Sequence, residues 1–188
     1  MIVTRNLEPI YDIPTAIRAF AIVRQRFPAA RLTVAGSGPE LDRLRALAGE
    51  LGLEGCVDFC GRLDNAEIPA LYASADCMLN PSTVDNMPIS ILESFASGVP
   101  VVSTDAGGIP DLVDNGVSGL LVPVGDVDAM AREVLRVLGD QSLSAALREA
   151  GLKAATVYAW PTVREQWLQV YRSVAKAGSI DSRKHSNA

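Results

Sequence analysis

The residues best placed for chemistry lie between Pro81 and Glu93. Asp85 and Glu93 stand eight positions apart, and a helix is predicted to begin between them, with Asn86 as its cap and Pro88 in its first turn. The backbone N–H groups at such a helix start favour an anion, and carboxylates accept hydrogen bonds from hydroxyl groups. This layout suits a ligand that carries phosphate between hydroxyl-bearing groups, as a nucleoside diphosphate sugar does.

A structural interpretation of the same pair is a capping Asp85 and a solvated Glu93. Glu93, however, stands among Ile91, Leu92 and Phe95, where an unpaired charge would be costly. The ligand-binding interpretation is therefore favoured for this helix.

A second loop, Gly36-Ser37-Gly38-Pro39-Glu40, follows a predicted strand and opens a helix. Its backbone N–H groups and the helix dipole favour an anion, but a tight strand-to-helix turn alone requires the same glycines. Both interpretations stay open. The dinucleotide fingerprint G-x-G-x-x-G fails because Leu41 stands where the third glycine belongs, which disfavours a dehydrogenase.

The composition argues against several classes of protein. The formal net charge of -5 and the pI near 4.9 offer no field for a phosphate backbone, so we expect no nucleic acid partner. Three cysteines in apolar segments and a single histidine, His185, predict no metal site and no Ser-His or Cys-His nucleophile. The absence of an eighteen-residue apolar run and of a signal peptide predicts a cytoplasmic protein.

Short β-branched runs alternate with longer stretches of helical periodicity, the pattern of repeated βα units in an α/β protein. We predict a Rossmann-like sheet of six strands, mostly parallel and flanked by helices, in one domain over residues 1–175. The predicted strands are Ile2–Thr4, Arg31–Ala35, Val57–Phe59, Cys77–Asn80, Pro100–Ser103 and Gly119–Val122. Ligands of such sheets bind beyond the carboxyl ends of the strands.

The predicted helices carry recognisable end signals. The first is capped by Asp12, with Pro14 in its first turn, and is closed by Pro28. The others are predicted over Pro39–Leu51, Ala66–Ala73, Met87–Ser97, Asp128–Leu138, Ser142–Tyr158 and Pro161–Ala175. The polar residues 176–188 are predicted to form a disordered tail.

Five motifs in a fixed order resemble those of family 4 glycosyltransferases, over about Ile2 to Tyr171. They are Asp85-x7-Glu93 with the following Ser94 to Val102, Gly36 to Glu40, Gly61-Arg62-Leu63, Gly107-Gly108-Ile109-Pro110-Asp111, and Gly116 to Val122. The resemblance implies the C-terminal, donor-binding half of a two-domain GT-B enzyme. Such an enzyme transfers a sugar from a nucleotide donor with retention of configuration and without a metal cofactor.

The resemblance also implies roles for individual residues. Glu93 would hold the ribose hydroxyls and Arg5 would neutralise the diphosphate leaving group. Asp85 and the segment Asn86, Met87, Pro88 and Ile89 would hold the donor sugar and the distal phosphate. Arg62 and Leu63 would meet the base, and the loop with Gly36, Gly38 and Glu40 would border the phosphates.

The sequence departs from the family pattern at three places. The family lysine a few residues after the arginine is missing between Leu7 and Asp12, Asp85 stands for a glutamate, and Pro88 stands for a glycine. These differences indicate either a variant donor site or weak catalytic activity. An epimerase-like GT-B protein, a non-catalytic nucleotide-sugar-binding module and a truncated gene product are the alternatives.

The implied N-terminal domain would supply the acceptor site, in cis or in trans, and the complete enzyme would lie peripherally at the inner membrane face. Without that domain, we expect no sugar transfer by the chain alone. The apolar stripe of the last helix would then be uncovered, so we expect a homodimer through this helix or fraying of the helix. The stripe consists of Val163, Trp167, Val170, Tyr171 and Val174.

Overall fold

Six short strands form one parallel sheet in the computed structural model, which describes the backbone of residues 1–184 and the side chains of residues 1–175. The strands are β1 (Ile2–Thr4), β2 (Leu32–Ala35), β3 (Val57–Gly61), β4 (Met78–Asn80), β5 (Val101–Thr104) and β6 (Leu120–Val122). Their order across the sheet is β3-β2-β1-β4-β5-β6, and every pairing is parallel. The predicted six-stranded Rossmann-like fold is confirmed.

Eight helices connect and follow the strands in the described part of the chain. They are α1 (Ile13–Arg26), α2 (Leu41–Glu50), α3 (Ile68–Ala73), α4 (Ile89–Ala96), α5 (Ile109–Leu112), α6 (Val127–Gly139), α7 (Gln141–Ala155) and α8 (Trp160–Lys184). Two 3-10 turns lie at Pro9–Tyr11 and Thr156–Tyr158. The short helix α5 and the turn Pro9–Tyr11 were not predicted.

Alternating side chains of the strands face two apolar layers. Val3 and Val102 pack with α1, α2 and α6 on one face of the sheet. Ile2, Met78 and Val101 pack with Ile91, Phe95 and Ile109 of α4 and α5 on the other. Because both faces are covered at the centre of the sheet, β4 and β5 are buried along their whole length, as central parallel strands are, whereas the edge strand β3 is only partly buried.

The start of α1 and the end of α8 differ from the prediction. Asp12 occupies the N-cap position of α1, but its carboxylate accepts the hydroxyl of Thr15 at 2.6 Å and caps no backbone N–H. Helix α8 continues to Lys184, beyond the predicted end at Ala175. Residues 176–184 of the predicted disordered tail thus continue this helix, whereas residues 185–188 lie outside the described part, and disorder there stays a prediction.

The winding of the chain creates one crevice at the sheet's centre. From β1 the order runs outward through β2 to β3, whereas β4, β5 and β6 run outward in the other direction. The connections after β1 and β4 therefore diverge to opposite sides at the carboxyl ends of these strands. Open α/β sheets bind ligands at this topological switch point.

Candidate functional site

A cavity of about 390 Å³ lies at the switch point, beyond the carboxyl ends of β1 and β4. It is lined by residues of the turn after β1, the loop after β4 and the start of α4. The lining residues are Thr4, Arg5, Asn6, Tyr11, Asp85, Met87, Pro88, Ile89, Ser90 and Glu93. The structure thus brings together six of the predicted site residues, namely Arg5, Asp85, Met87, Pro88, Ile89 and Glu93.

The guanidinium of Arg5 is the only positive charge that lines this cavity among the described residues. It forms an ion pair with Asp85, and only 11% and 12% of the two side chains are exposed. The Arg5 Cζ lies 4.1 Å from the ring centroid of Tyr11, and Nη1 lies 3.4 Å from the Ser90 hydroxyl. The cation is therefore held over an aromatic face in a partly desolvated place.

One nitrogen of Arg5 has no hydrogen-bond partner among the described residues. The Nε atom is buried and unpaired, although the other end of the guanidinium is paired with Asp85. Buried donors of this kind are rare in folded proteins and call for an explanation, such as a ligand or a water. The guanidinium is therefore a candidate binding group.

The loop that carries Asp85 is positioned by two glycines after β5. Gly108 N–H donates to the Asp85 carbonyl at 2.8 Å. A Cβ at Gly107, which has φ +56, would lie 2.1 Å from that carbonyl oxygen, and a Cβ at Gly108 would lie 2.4 Å from the Asn86 oxygen. The Gly-Gly turn thus allows a backbone approach that no other residue pair permits.

Hydroxyl and amide groups also hold the loop after β4 in place. Asn80 donates to the Ser103 hydroxyl at 3.0 Å and accepts from the Ser82 hydroxyl at 3.0 Å, and all three side chains are buried. On the far side, Thr83 donates both its N–H and its hydroxyl to the Ile10 carbonyl. The loop after β4 is thereby fixed to the turn that carries Tyr11.

Glu93 lies one turn into α4 and is held through a buried phenol. The hydroxyl of Tyr72 lies 3.1 Å from Glu93 Oε2, 2.9 Å from the Ser90 carbonyl and 2.8 Å from the Thr4 hydroxyl. Burial raises the pKa of Tyr72 well above its ordinary value, so the phenol keeps its proton at neutral pH. Glu93 is therefore a partly buried carboxylate with a hydrogen-bond donor beside it, not a solvated surface charge.

The prediction that Asn86 caps α4 is wrong. Asn86 is exposed, the N-cap is Pro88 and the helix begins at Ile89. The residue before a proline is disfavoured in helical conformation, so Met87 cannot open the helix and the start moves past Pro88. Asn86 does not line the cavity.

The glycine loop after β2 serves close packing. A Cβ at Gly36 would lie 2.0 Å from the Arg5 carbonyl oxygen, and a Cβ at Gly38 would lie 2.4 Å from the Leu7 oxygen. Glu40 N–H donates to the Leu7 carbonyl. Of the two interpretations left open by the sequence, this geometry favours the tight turn, which holds the segment that follows Arg5.

The remaining predicted site residues lie away from the cavity lining. The Glu40 carboxylate is paired with Arg43 at 2.6 Å, Arg62 is exposed and Leu63 is half-buried. None of Gly36, Gly38, Glu40, Arg62 or Leu63 lines the cavity. Their predicted contacts with a base or a phosphate stay predictions.

The sequence did not single out four residues that line the cavity, Thr4, Asn6, Tyr11 and Ser90, or the supporting residue Tyr72. Tyr72 stands four residues after Ile68 in an apolar helix, and its ring lies in the core. The only available signal was that a buried phenol needs a hydrogen-bond partner.

A larger cavity, of about 1110 Å³, lies at the amino ends of the strands, between the ends of α1, α6 and α7. Its charged lining mixes Arg26, Arg31 and Arg148 with Asp76 and Glu149. Parallel α/β sheets bind ligands at the carboxyl ends of their strands. The larger volume of this cavity therefore does not make it the better candidate site.

No group of three or more His, Cys, Asp or Glu side chains in the described residues is arranged to hold a metal ion. Within the same residues, no helix combines the length and the apolar character needed to cross a bilayer.

The sequence matches the family of glycosyl transferases group 1 over residues 1–154. It is 32% identical over 173 residues to an exopolysaccharide phosphotransferase of Streptomyces coelicolor, covering 91% of this chain and 18% of that protein. It is 33% identical over 169 residues to a GDP-mannose-dependent alpha-(1-6)-phosphatidylinositol monomannoside mannosyltransferase of Mycobacterium tuberculosis, covering 86% of this chain and 42% of that protein.

The fold is similar to solved structures over nearly the whole chain. The Anabaena protein HepE, in complex with UDP, aligns with a TM-score of 0.84 and 27% identity, over 92% of this chain and 48% of that one. Sucrose-phosphate synthase from Thermosynechococcus elongatus aligns with a TM-score of 0.84 and 26% identity, over 94% of this chain and 45% of that one. The chain thus spans less than half the length of these relatives. It belongs to the glycosyl transferases group 1 family and has the fold of the C-terminal domain of a GT-B glycosyltransferase.

Proposed function

We propose that this chain is the donor-binding domain of a retaining glycosyltransferase, which binds a nucleoside diphosphate sugar in the cavity between β1 and β4. The observation that carries the proposal is the partly desolvated Arg5 guanidinium with its unpaired Nε, placed beside the start of α4 and between two carboxylates. A cation and a helix N-terminus bind a diphosphate, and carboxylates accept sugar hydroxyls.

The known relatives support this ligand class. One relative is named as GDP-mannose-dependent, and the HepE structures hold UDP, UDP with glucose, or UDP-glucose. In the proposed complex, Arg5 neutralises the charge that develops on the diphosphate as it leaves, which is electrostatic catalysis in a dry cleft. Glu93 holds the ribose, and Asp85 with the loop to Ile89 holds the donor sugar.

The charged side chains that line the cavity limit how a diphosphate can bind. Arg5 is already paired with Asp85, and Glu93 adds a second negative charge. A diphosphate must therefore share Arg5 with Asp85, and the start of α4 supplies the remaining positive potential. An N-terminal domain, in cis or in trans, would supply the acceptor and further exclude water from the cleft.

Calorimetric titration of UDP, GDP and ADP in the presence of EDTA tests donor binding. We expect at least one of them to bind, and we expect Glu93→Ala to weaken binding by about 1–3 kcal/mol, the range for hydrogen bonds to a charged group. Arg5→Gln should weaken it about tenfold or more, and the remote surface variant Arg136→Gln should leave it unchanged. Strict dependence on manganese, or no binding by the folded wild-type chain, would contradict the proposal.

Transfer itself requires the second domain. We expect the isolated chain to transfer no sugar, and we expect activity when an N-terminal domain is added. NMR of the product should then show the donor's anomeric configuration. Donor binding without transfer in the reconstituted protein would indicate a binding module instead.

A further inference from the structure

The Tyr72 phenol joins three elements at the edge of the candidate site. Its side chain is fully buried, on α3, and its hydroxyl reaches Thr4 at the end of β1 and both Ser90 and Glu93 on α4. These elements are far apart in the sequence and meet only in the fold. The phenol is thus the link between the strand that leads to Arg5 and the carboxylate across the cavity.

One proton serves two of these contacts. The phenol has one proton, and the Ser90 carbonyl at 2.9 Å and Glu93 Oε2 at 3.1 Å share it as acceptors. With the phenolic proton shared between them, the Thr4 hydroxyl is the donor to the phenol oxygen at 2.8 Å. Donation from Thr4 polarises the phenol, which strengthens the donation toward Glu93.

Only one oxygen of Glu93 is engaged. Oε2 accepts from Tyr72, whereas Oε1 accepts no hydrogen bond from the described residues. Glu93 lines the cavity. A carboxylate fixed at one oxygen presents the other in a defined direction, with less side-chain freedom to lose when a ligand binds.

We propose that Tyr72 is a positioning residue of the donor site: it holds Glu93 Oε2 so that Oε1 meets the ribose hydroxyls in a fixed orientation. This inference rests on the proposed function, since it assigns the ribose of the donor to Glu93. A purely structural Tyr72 would fill the core between Ile2 and Ile91 with its ring. Replacement by phenylalanine keeps that ring and removes only the hydroxyl.

The test compares two ligands on one set of variants. The ligands are the tightest binder of UDP, GDP and ADP and its 2′,3′-dideoxy analogue, which lacks the hydroxyls assigned to Glu93. In the wild-type chain we expect the analogue to bind about twentyfold more weakly, in line with hydrogen bonds to a charged group. In Tyr72→Phe we expect the parent ligand to lose about tenfold in affinity and the analogue to lose less than twofold.

Two further variants keep the test decisive. Tyr158→Phe removes a phenol hydroxyl from a surface turn and should leave both affinities unchanged. Thr4→Val removes the donor to Tyr72 while it keeps the phenol, and should weaken the parent ligand several-fold in the same selective manner, even where Tyr72→Phe folds poorly.

A merely structural role would lower the thermal midpoint or both affinities together, without a change in their ratio. The positioning role alone is overturned if the wild type discriminates the two ligands and folded Tyr72→Phe and Thr4→Val keep the same ratio of the two affinities. Wild-type chain that binds neither ligand overturns the proposed function together with it.

Discussion

At the scale of single residues, the site depends on side chains whose polar atoms are held in low-dielectric surroundings. Arg5 lies over the Tyr11 ring and is paired with Asp85, and Tyr72 donates toward Glu93. Electrostatic interactions strengthen when water is excluded, so a few such groups suffice for a charged ligand. The same burial raises the pKa of Tyr72.

The pH dependence of stability follows from the buried phenol. Burial raises the pKa of Tyr72, so the folded state binds the phenolic proton more tightly than the unfolded state. The protonated phenol therefore stabilises the folded state fully below the unfolded pKa of about 10, and this stabilisation is lost as the pH rises above that value. The wild-type minus Tyr72→Phe difference should be constant from about pH 7 to 9 and fall above about pH 10. If urea titrations give a difference in the free energy of unfolding that stays constant up to about pH 11, this pH dependence is contradicted.

At the scale of elements, loops after β2 and β5 place the binding groups by backbone packing. The Gly-Gly turn before α5 supports Asp85, and the glycine loop before α2 supports the segment after Arg5. Neither loop needs to touch the ligand to be necessary for the site. Substitution at these glycines should therefore change ligand binding from a distance.

Gly107→Ala tests this support with Gly52→Ala as the matched control. Both glycines have positive φ, +56 and +65, but a Cβ at Gly107 would strike the Asp85 carbonyl while one at Gly52 meets nothing within 4 Å. We expect about 1 kcal/mol of destabilisation for Gly52→Ala from backbone strain alone, and about 2–4 kcal/mol for Gly107→Ala. Only Gly107→Ala should also weaken nucleoside diphosphate binding. If the two substitutions change stability in denaturation and binding in calorimetry equally, the supporting role of Gly107 is contradicted.

The elements were more predictable than the site. All six strands were predicted because buried parallel strands are short β-branched runs between turn residues, as in β5 (Val101–Thr104). The start of α4 was misplaced because Pro88 restricts the residue before it. Tyr11 and Tyr72 were missed because their partners lie far away in the sequence, and an aromatic at helical spacing is typical of a core position.

At the scale of the whole molecule, α8 is the least integrated element. Trp160, Trp167, Tyr171 and Val174 are between 55% and 69% exposed, and the aromatic partner of Trp167 among the described side chains is Tyr171 of the same helix, with ring centroids 5.9 Å apart. An amphipathic helix gains most of its stability from a covered apolar face. The chain by itself leaves this face to solvent.

We therefore expect the chain alone either to dimerise through α8 or to fray there. Sedimentation equilibrium should show a dimer that Trp167→Glu disrupts, or hydrogen exchange of Trp160 to Ala175 should be much faster than that of α1. The surface variant Arg136→Gln on α6 serves as a control. A monomer whose α8 amides are protected as strongly as those of α1 would contradict this expectation.

The central claim is that a nucleoside diphosphate binds at the switch point between β1 and β4 and not in the larger cavity at the other end of the sheet. Amide chemical-shift mapping with the tightest-binding nucleoside diphosphate, in EDTA, tests it most directly. The account predicts the largest shifts at Thr4 to Asn6 and at Asp85 to Glu93. Shifts concentrated around Phe27, Arg31 and Arg148, or no saturable shifts at all, would contradict it.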